Sequence, residues 1–136
     1  MSFGWGVGDI IAISKLAIKV HIAYKDAPDS CRHISEEVSA LRVLIDKVEQ
    51  HFQSSAIGSN NHQGGQTVLK GCQSVLEDLD SLIVKYKDLA STNKSLVIQK
   101  VKLGTEDIAT LRTRLATNAA MLSGFIRRSN IYTIIL

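Results

Sequence analysis

The chain has 136 residues, 45% of them apolar and only 5% aromatic, with one proline, Pro28. That length suits one domain with one core, and the Leu, Ile, Val and Ala content favours helices over a sandwich. Sixteen Lys+Arg against 13 Asp+Glu give a formal net charge of +3, with the basic residues scattered among acids; a nucleic-acid domain would instead concentrate Lys and Arg on one face.

The first stretch, FGWGVGDII, alternates glycine with large apolar residues. It has no basic segment before the apolar run and no small-residue cleavage site after it, so it does not read as a signal peptide. Lys15, Lys19 and His21 interrupt the run that follows before it reaches the ~20 residues of a membrane span. The glycines are expected to form a flexible joint, with helical order beginning near Asp9 as N-cap. From 9 to 25, Ile10, Ile13, Ala17, Val20 and Tyr24 recur at helical spacing. Ile11, Ile18 and Ile22 add a second apolar side, and Lys15 and Lys19 share a narrow polar face. A helix this apolar belongs deep in a bundle, or alternates between a bundle and a bilayer.

Pro28 within DAPDS breaks the chain, and Asp29 or Ser30 can cap the next helix. Over 30–53 the residues Ile34, Val38, Leu41, Ile45, Val48 and Phe52 form a sustained stripe. Residues 54–66, SSAIGSNNHQGGQ, carry no apolar period and are expected to form a mobile loop. A third helix over 67–90 carries Val68, Cys72, Val75, Leu79, Leu82 and Tyr86, widened by Leu76, Ile83 and Leu89. A short helix at 94–103 is expected to meet the last one, 105–127, at a bend near Gly104. The last stripe is Ile108, Leu111, Leu115, Asn118, Leu122 and Phe125, and the apolar tail SNIYTIIL follows at 129–136. Successive stripes of this kind predict an all-α bundle of four or five helices, a single domain over 1–136.

The chemistry of catalysis is sparse. Four histidines, at 21, 33, 51 and 62, stand in no HExxH or Glu-x-x-His spacing, and Cys31 and Cys72 form no metal-ligand pair. Gly4, Gly6 and Gly8 follow no strand and precede no GK[ST], so they are neither a dinucleotide fingerprint nor a P-loop. No serine lies in a nucleophile elbow. The expectation is a protein that is not an enzyme, with no catalytic residue, cofactor, metal, nucleic acid or small-molecule substrate. Both cysteines read as free thiols of a reducing compartment.

Four blocks resemble one family. MSFGWGVGDIIAISKLAIKV, KDAPDSCRHISEEVSALRVLIDKVE, LKGCQSVLEDLDSLIVKYKDL and GTEDIATLRTRLATNAAMLSGFI occur in the order found in the N-terminal domains of fungal STAND-type receptors, those bearing NACHT or ankyrin modules. The likeness covers roughly residues 1–126. These domains are similar to the HeLo and HeLo-like bundles of fungal incompatibility proteins. The resemblance implies a cytoplasmic effector or signalling bundle, relocating to the plasma membrane and acting in cell death after oligomerisation. It implies anionic lipids, a homo-oligomer or related helical domains as partners. The region implicated in membrane insertion in such relatives holds Phe3, Trp5, Val7, Ile10, Ile11, Lys15 and Lys19 here, together with Ile13, Leu16, Ile18 and Val20. The alternative is a bundle for protein interaction or self-association without membrane activity. Relatives also continue past the last conserved helix, where this sequence reads RRSNIYTIIL; an excised domain, a short natural relative and a misread gene end all fit that difference.

Overall fold

The computed structural model describes the backbone of residues 6–26, 29–54, 62–92 and 94–135, and side chains over 6–26, 31–51, 64–85 and 108–128. Four helices follow in order: α1 (Val7–Lys25), α2 (Asp29–Ser54), α3 (His62–Thr92) and α4 (Lys94–Ile135). There is no strand among the described residues, and the fold is an all-α bundle.

Each helix forms where the apolar period is regular, and each buries that stripe. On α1 the buried residues include Ile10, Ile13, Ala17, Val20 and Tyr24. On α2 they are Ile34, Val38, Leu41, Ile45 and Val48; on α3, Val68, Leu69, Cys72, Val75, Leu76, Leu79 and Ile83; on α4, Leu111, Leu115, Leu122 and Phe125. All belong to one continuous core. Phe52, Tyr86 and Leu89 lie outside the residues whose side chains are described.

The pairing of helices defines the architecture. α1 packs most closely on α2, and α3 on α4; smaller contacts join α1 to α3 and α2 to α4. The circuit is therefore α1–α2–α4–α3, two helical hairpins laid side by side. Within the first hairpin the helices are antiparallel, since Ser14 meets Asp46 and His21 meets Ser35. The second is antiparallel too: Asp78 meets Arg114, and Gly65 lies against Phe125.

Glycine is required for close approach at two points of the second hairpin. A Cβ built at Gly65 would stand 2.7 Å from the Phe125 ring, and one at Gly71 would collide with the Asn118 side-chain oxygen. Asn118 is held there by donating from Nδ2 to the Arg114 carbonyl at 2.8 Å. α4 therefore sits against α3 more tightly than side chains at 65 and 71 would allow.

The larger differences from the sequence expectation are at the starts of α1 and α3 and along α4. α1 begins at Val7, not at Asp9. Gly6 is the N-cap, with extended backbone (φ −118°, ψ −178°), and Asp9 occupies the third helical position. The Gly6 N–H donates to Asp9 Oδ2 at 2.8 Å, and the Asp9 N–H donates to the Gly6 carbonyl at 3.0 Å. This is the reciprocal half of a capping box, the half that needs no side chain at the cap. Gly8 is thus inside the helix rather than part of a flexible joint. α3 begins at His62, so 62–66 are helical and not loop; residues 55–61 lie outside the described ones. α4 runs through Gly104 without interruption, which replaces the expected short helix and bend by one helix of 42 residues. A glycine inside a helix costs only about 1 kcal/mol relative to alanine, too little to break a long helix by itself. The tail at 129–135 continues the same helix.

Candidate interaction surface

α1 is where an interaction surface was expected, and its two sides differ sharply. Its inner side is core: Ile10, Ala17 and Val20 are fully buried and Ile13 nearly so. Its outer side remains apolar. Val7, Ile11 and Ile18 are half-buried, and Ile22 is 61% exposed. These four positions, spaced 4, 7 and 4 apart, share one face of a 3.6-residue helix. Lys15 and Lys19 stand exposed beside them. Of the seven residues expected at the surface, Val7, Ile11, Lys15 and Lys19 are reachable there. Ile10 belongs to the core instead, because it falls on the inner face with Ile13 and Ala17. Phe3 and Trp5 lie outside the described residues.

Polar bonds fix how α1 is turned. The Ser14 hydroxyl donates to Asp46 Oδ1 at 2.8 Å, and Arg42 lies 3.7 Å from the other oxygen of that carboxylate. His21 Nδ1 lies 2.9 Å from both the Ser35 carbonyl and the Ser35 hydroxyl, and that hydroxyl is 3.3 Å from the His21 carbonyl. These atoms are mutually satisfied if Nδ1 carries the proton and the hydroxyl donates to the His21 carbonyl. The Tyr24 hydroxyl donates to the Leu79 carbonyl at 2.6 Å, inside the bundle. Burial holds that phenol well above its ordinary pKa, with smaller contributions from Cys31 and Asp80. Lys19 pairs with Asp80 of α3 at 3.3 Å, so its ammonium is engaged in the closed bundle rather than free.

A concavity lies between α2 and α4. It encloses about 490 Å³ and is lined by Glu37 and Ala40 on one side and by Ala109, Arg112, Thr113, Ala116 and Ala119 on the other, with Leu115 also lining it. Arg112 brackets it, placing Nη2 at 2.6 Å and Nε at 2.8 Å from Glu37 Oε1. The Glu37 carboxylate raises the guanidinium pKa further, chiefly through this hydrogen bond. The expected stripe of α4 is Ile108, Leu111, Leu115, Asn118, Leu122 and Phe125, and the groove is lined instead by the alanines at 109, 116 and 119, small residues whose presence in the sequence is the legible signal of a groove.

Among the described residues no cluster of three or more His, Cys, Asp or Glu is placed to hold a metal ion. No helix among them is long and apolar enough to cross a membrane. Cys72 is buried, which pushes its thiol up to about 12, so in the closed bundle it stays protonated and unreactive. No family model, no curated protein and no solved structure matches the chain.

Proposed function

We propose that this chain is a non-enzymatic effector or signalling bundle that works through the outer face of α1 at an anionic membrane surface. The observation that carries the reading is the apolar outer face of α1, Val7, Ile11, Ile18 and Ile22, flanked by Lys15 and Lys19. A face of this kind suits the interfacial mode, in which apolar residues enter the acyl boundary and lysines reach the headgroups. A single span is not the expected mode, since no described helix is long and apolar enough for one. The four sequence blocks that resemble fungal STAND-receptor N-terminal domains support the same reading, and a cell-death or incompatibility setting is what that resemblance implies.

The same physics limits it. Burying an isoleucine contributes roughly 1.5–3 kcal/mol whether the surroundings are lipid or core. The inner face of α1 is already buried, so full insertion of the helix needs a trigger that offsets the lost core. Shallow docking through the outer face needs none.

The test is co-sedimentation with anionic and neutral vesicles, with helical content monitored in parallel. The full chain is expected to bind anionic vesicles, and the Ile18→Ser/Ile22→Ser variant to bind several-fold more weakly while remaining folded. Replacing Phe3 and Trp5 by serine tests the arm in the same way. A parent chain that binds neither vesicle type, even when oligomerised by a fused dimerisation module, overturns the membrane reading. It would favour the alternative, an interaction bundle using exposed apolar residues such as Val43, Val84 and Met121.

A further inference from the structure

The two hairpins are unequally joined. Within the first, α1 and α2 share an extensive interface and polar links at two levels, Ser14–Asp46 and His21–Ser35. Within the second, Arg114 bonds Asp78 at 2.6 Å and Ser74 at 3.1 Å, and the Gly65 and Gly71 contacts bring the backbones close. Between the hairpins the interfaces α1–α3 and α2–α4 are smaller. Polar links that cross there among the described residues include three: Tyr24 to the Leu79 carbonyl, Lys19 to Asp80, and Arg112 to Glu37. Two of the three are partly exposed ion pairs, a class worth little individually.

We propose that the bundle opens along the seam between its hairpins, α1 and α2 separating from α3 and α4 as a pair, at lower cost than global unfolding. Sub-global openings commonly follow supersecondary units, and here the two smaller interfaces, α1–α3 and α2–α4, are the ones that join the hairpins. The alternative, α1 leaving alone, would break the large α1–α2 interface as well as the small α1–α3 one. This opening is independent of the membrane reading: it is a property of the free protein in solution.

Cys72 supplies the reporter. It is fully buried on α3, so a thiol reagent reaches it only through an opening. Half-buried Cys31 is removed by Cys31→Ser, leaving one thiol in the full chain. Where reclosing is fast relative to labelling, the rate of maleimide attachment follows the open population. Tyr24→Phe and Glu37→Lys weaken links that cross the seam; Ser14→Ala and Ser35→Ala weaken links within the α1–α2 hairpin that survive its opening. Tyr24→Phe is expected to speed labelling about two- to tenfold, the yield of one lost hydrogen bond. Glu37→Lys, which sets two cations together, is expected to act in the same direction, with Glu37→Gln as the milder version if folding suffers. Ser14→Ala and Ser35→Ala are expected to leave the rate unchanged. Acceleration by Tyr24→Phe and Ser14→Ala but not by Glu37→Lys would mean that α1 leaves alone, and would overturn the proposal. Acceleration by all four would mean global unfolding, acceleration by Tyr24→Phe alone would mean that α3 leaves by itself, and no response to any would mean a local opening at Cys72 that keeps the Tyr24–Leu79 bond; all three overturn it as well.

Discussion

Glycine and burial decide the behaviour of single residues here. Gly8 lies in the first turn of α1, and a Cβ added to it meets nothing within 4 Å. Alanine there removes backbone freedom from the unfolded chain at no steric cost. Gly8→Ala should therefore stabilise the protein by about 0.4–1 kcal/mol. At Gly71 the added Cβ meets the Asn118 oxygen, whose amide is held in place because its Nδ2 donates to the Arg114 carbonyl. Gly71→Ala should destabilise by about 1–3 kcal/mol, the range of overpacking. Urea midpoints of the two variants should move in opposite directions, and a shared direction would show that helix propensity alone governs both sites. A second residue effect is pH-dependent. The Cys72 thiol is raised from 9.0 to about 12 by burial, so between those values the unfolded chain releases a proton that the folded chain keeps. A raised folded-state pKa means that stability is full below pH 9 and is lost as pH rises toward 12. The slope for one group approaches about 1.4 kcal/mol per pH unit. Tyr24, also raised by burial, adds the same sign at higher pH. Denaturant midpoints from pH 7 to 11 should fall above pH 9, and fall less steeply in Cys72→Ala.

At the scale of helices, the interior stripes were the legible part. Ile34, Val38, Leu41, Ile45 and Val48 recur at steps of four and three and are all fully buried, because one face of a regular helix meets the core at that period. Leu69 is equally buried but was passed over; it precedes Cys72 by three and Leu76 by seven, a relation that marks the same face. What the stripes did not carry were the ends. The Gly6–Asp9 pair starts α1 two residues earlier than expected, a difference set by the Gly6 N–H donating to the Asp9 carboxylate and the Asp9 N–H donating to the Gly6 carbonyl. Helix α3 reaches back through Gly64 and Gly65, where composition alone reads loop; the ring of Phe125 against Gly65 shows what that turn packs on. On the candidate site, the spacing of Ile11, Ile18 and Ile22 correctly separated a second apolar side from the core stripe. The same spacing sets Ile10 on the core stripe, where it is buried, and only the family resemblance puts it in the membrane region; the pairing of Lys19 depends on where α3 stands, which spacing does not give. The same geometry argues that serine at 18 and 22 changes the fold little: Ile22 faces solvent and Ile18 is half-buried, so the loss should stay well below that of a core position. That difference is what lets the vesicle experiment separate lost binding from lost structure.

For the molecule as a whole, the question is whether charge or apolar burial holds the hairpins together. Among the described residues three ion pairs join different helices: Lys19–Asp80 and Glu37–Arg112 between the hairpins, and Asp78–Arg114 within the second. Each has at least one solvent-exposed partner, and pairs of this kind are worth about 0–1 kcal/mol each before screening. Salt shortens the screening length from about 10 Å at 0.1 M to about 3 Å at 1 M, which weakens even that. The core, by contrast, gathers fully buried side chains from all four helices, among them Val20, Leu41, Leu76 and Leu122. Truncating one such leucine to alanine removes transfer energy and leaves a cavity, at about 2–5 kcal/mol. Core burial therefore outweighs the three pairs together. Raising NaCl from 0.05 to 0.5 M should shift the free energy of unfolding by less than the cost of Leu76→Ala, and Asp78→Asn should likewise cost less than that single truncation. Denaturant titrations of the parent at both salt levels, and of the two variants at one, measure all of these quantities on a common scale. A salt shift larger than the Leu76→Ala loss would place the cohesion of the bundle in its surface charges, and the two hairpins would then be held by their rims rather than by their shared core.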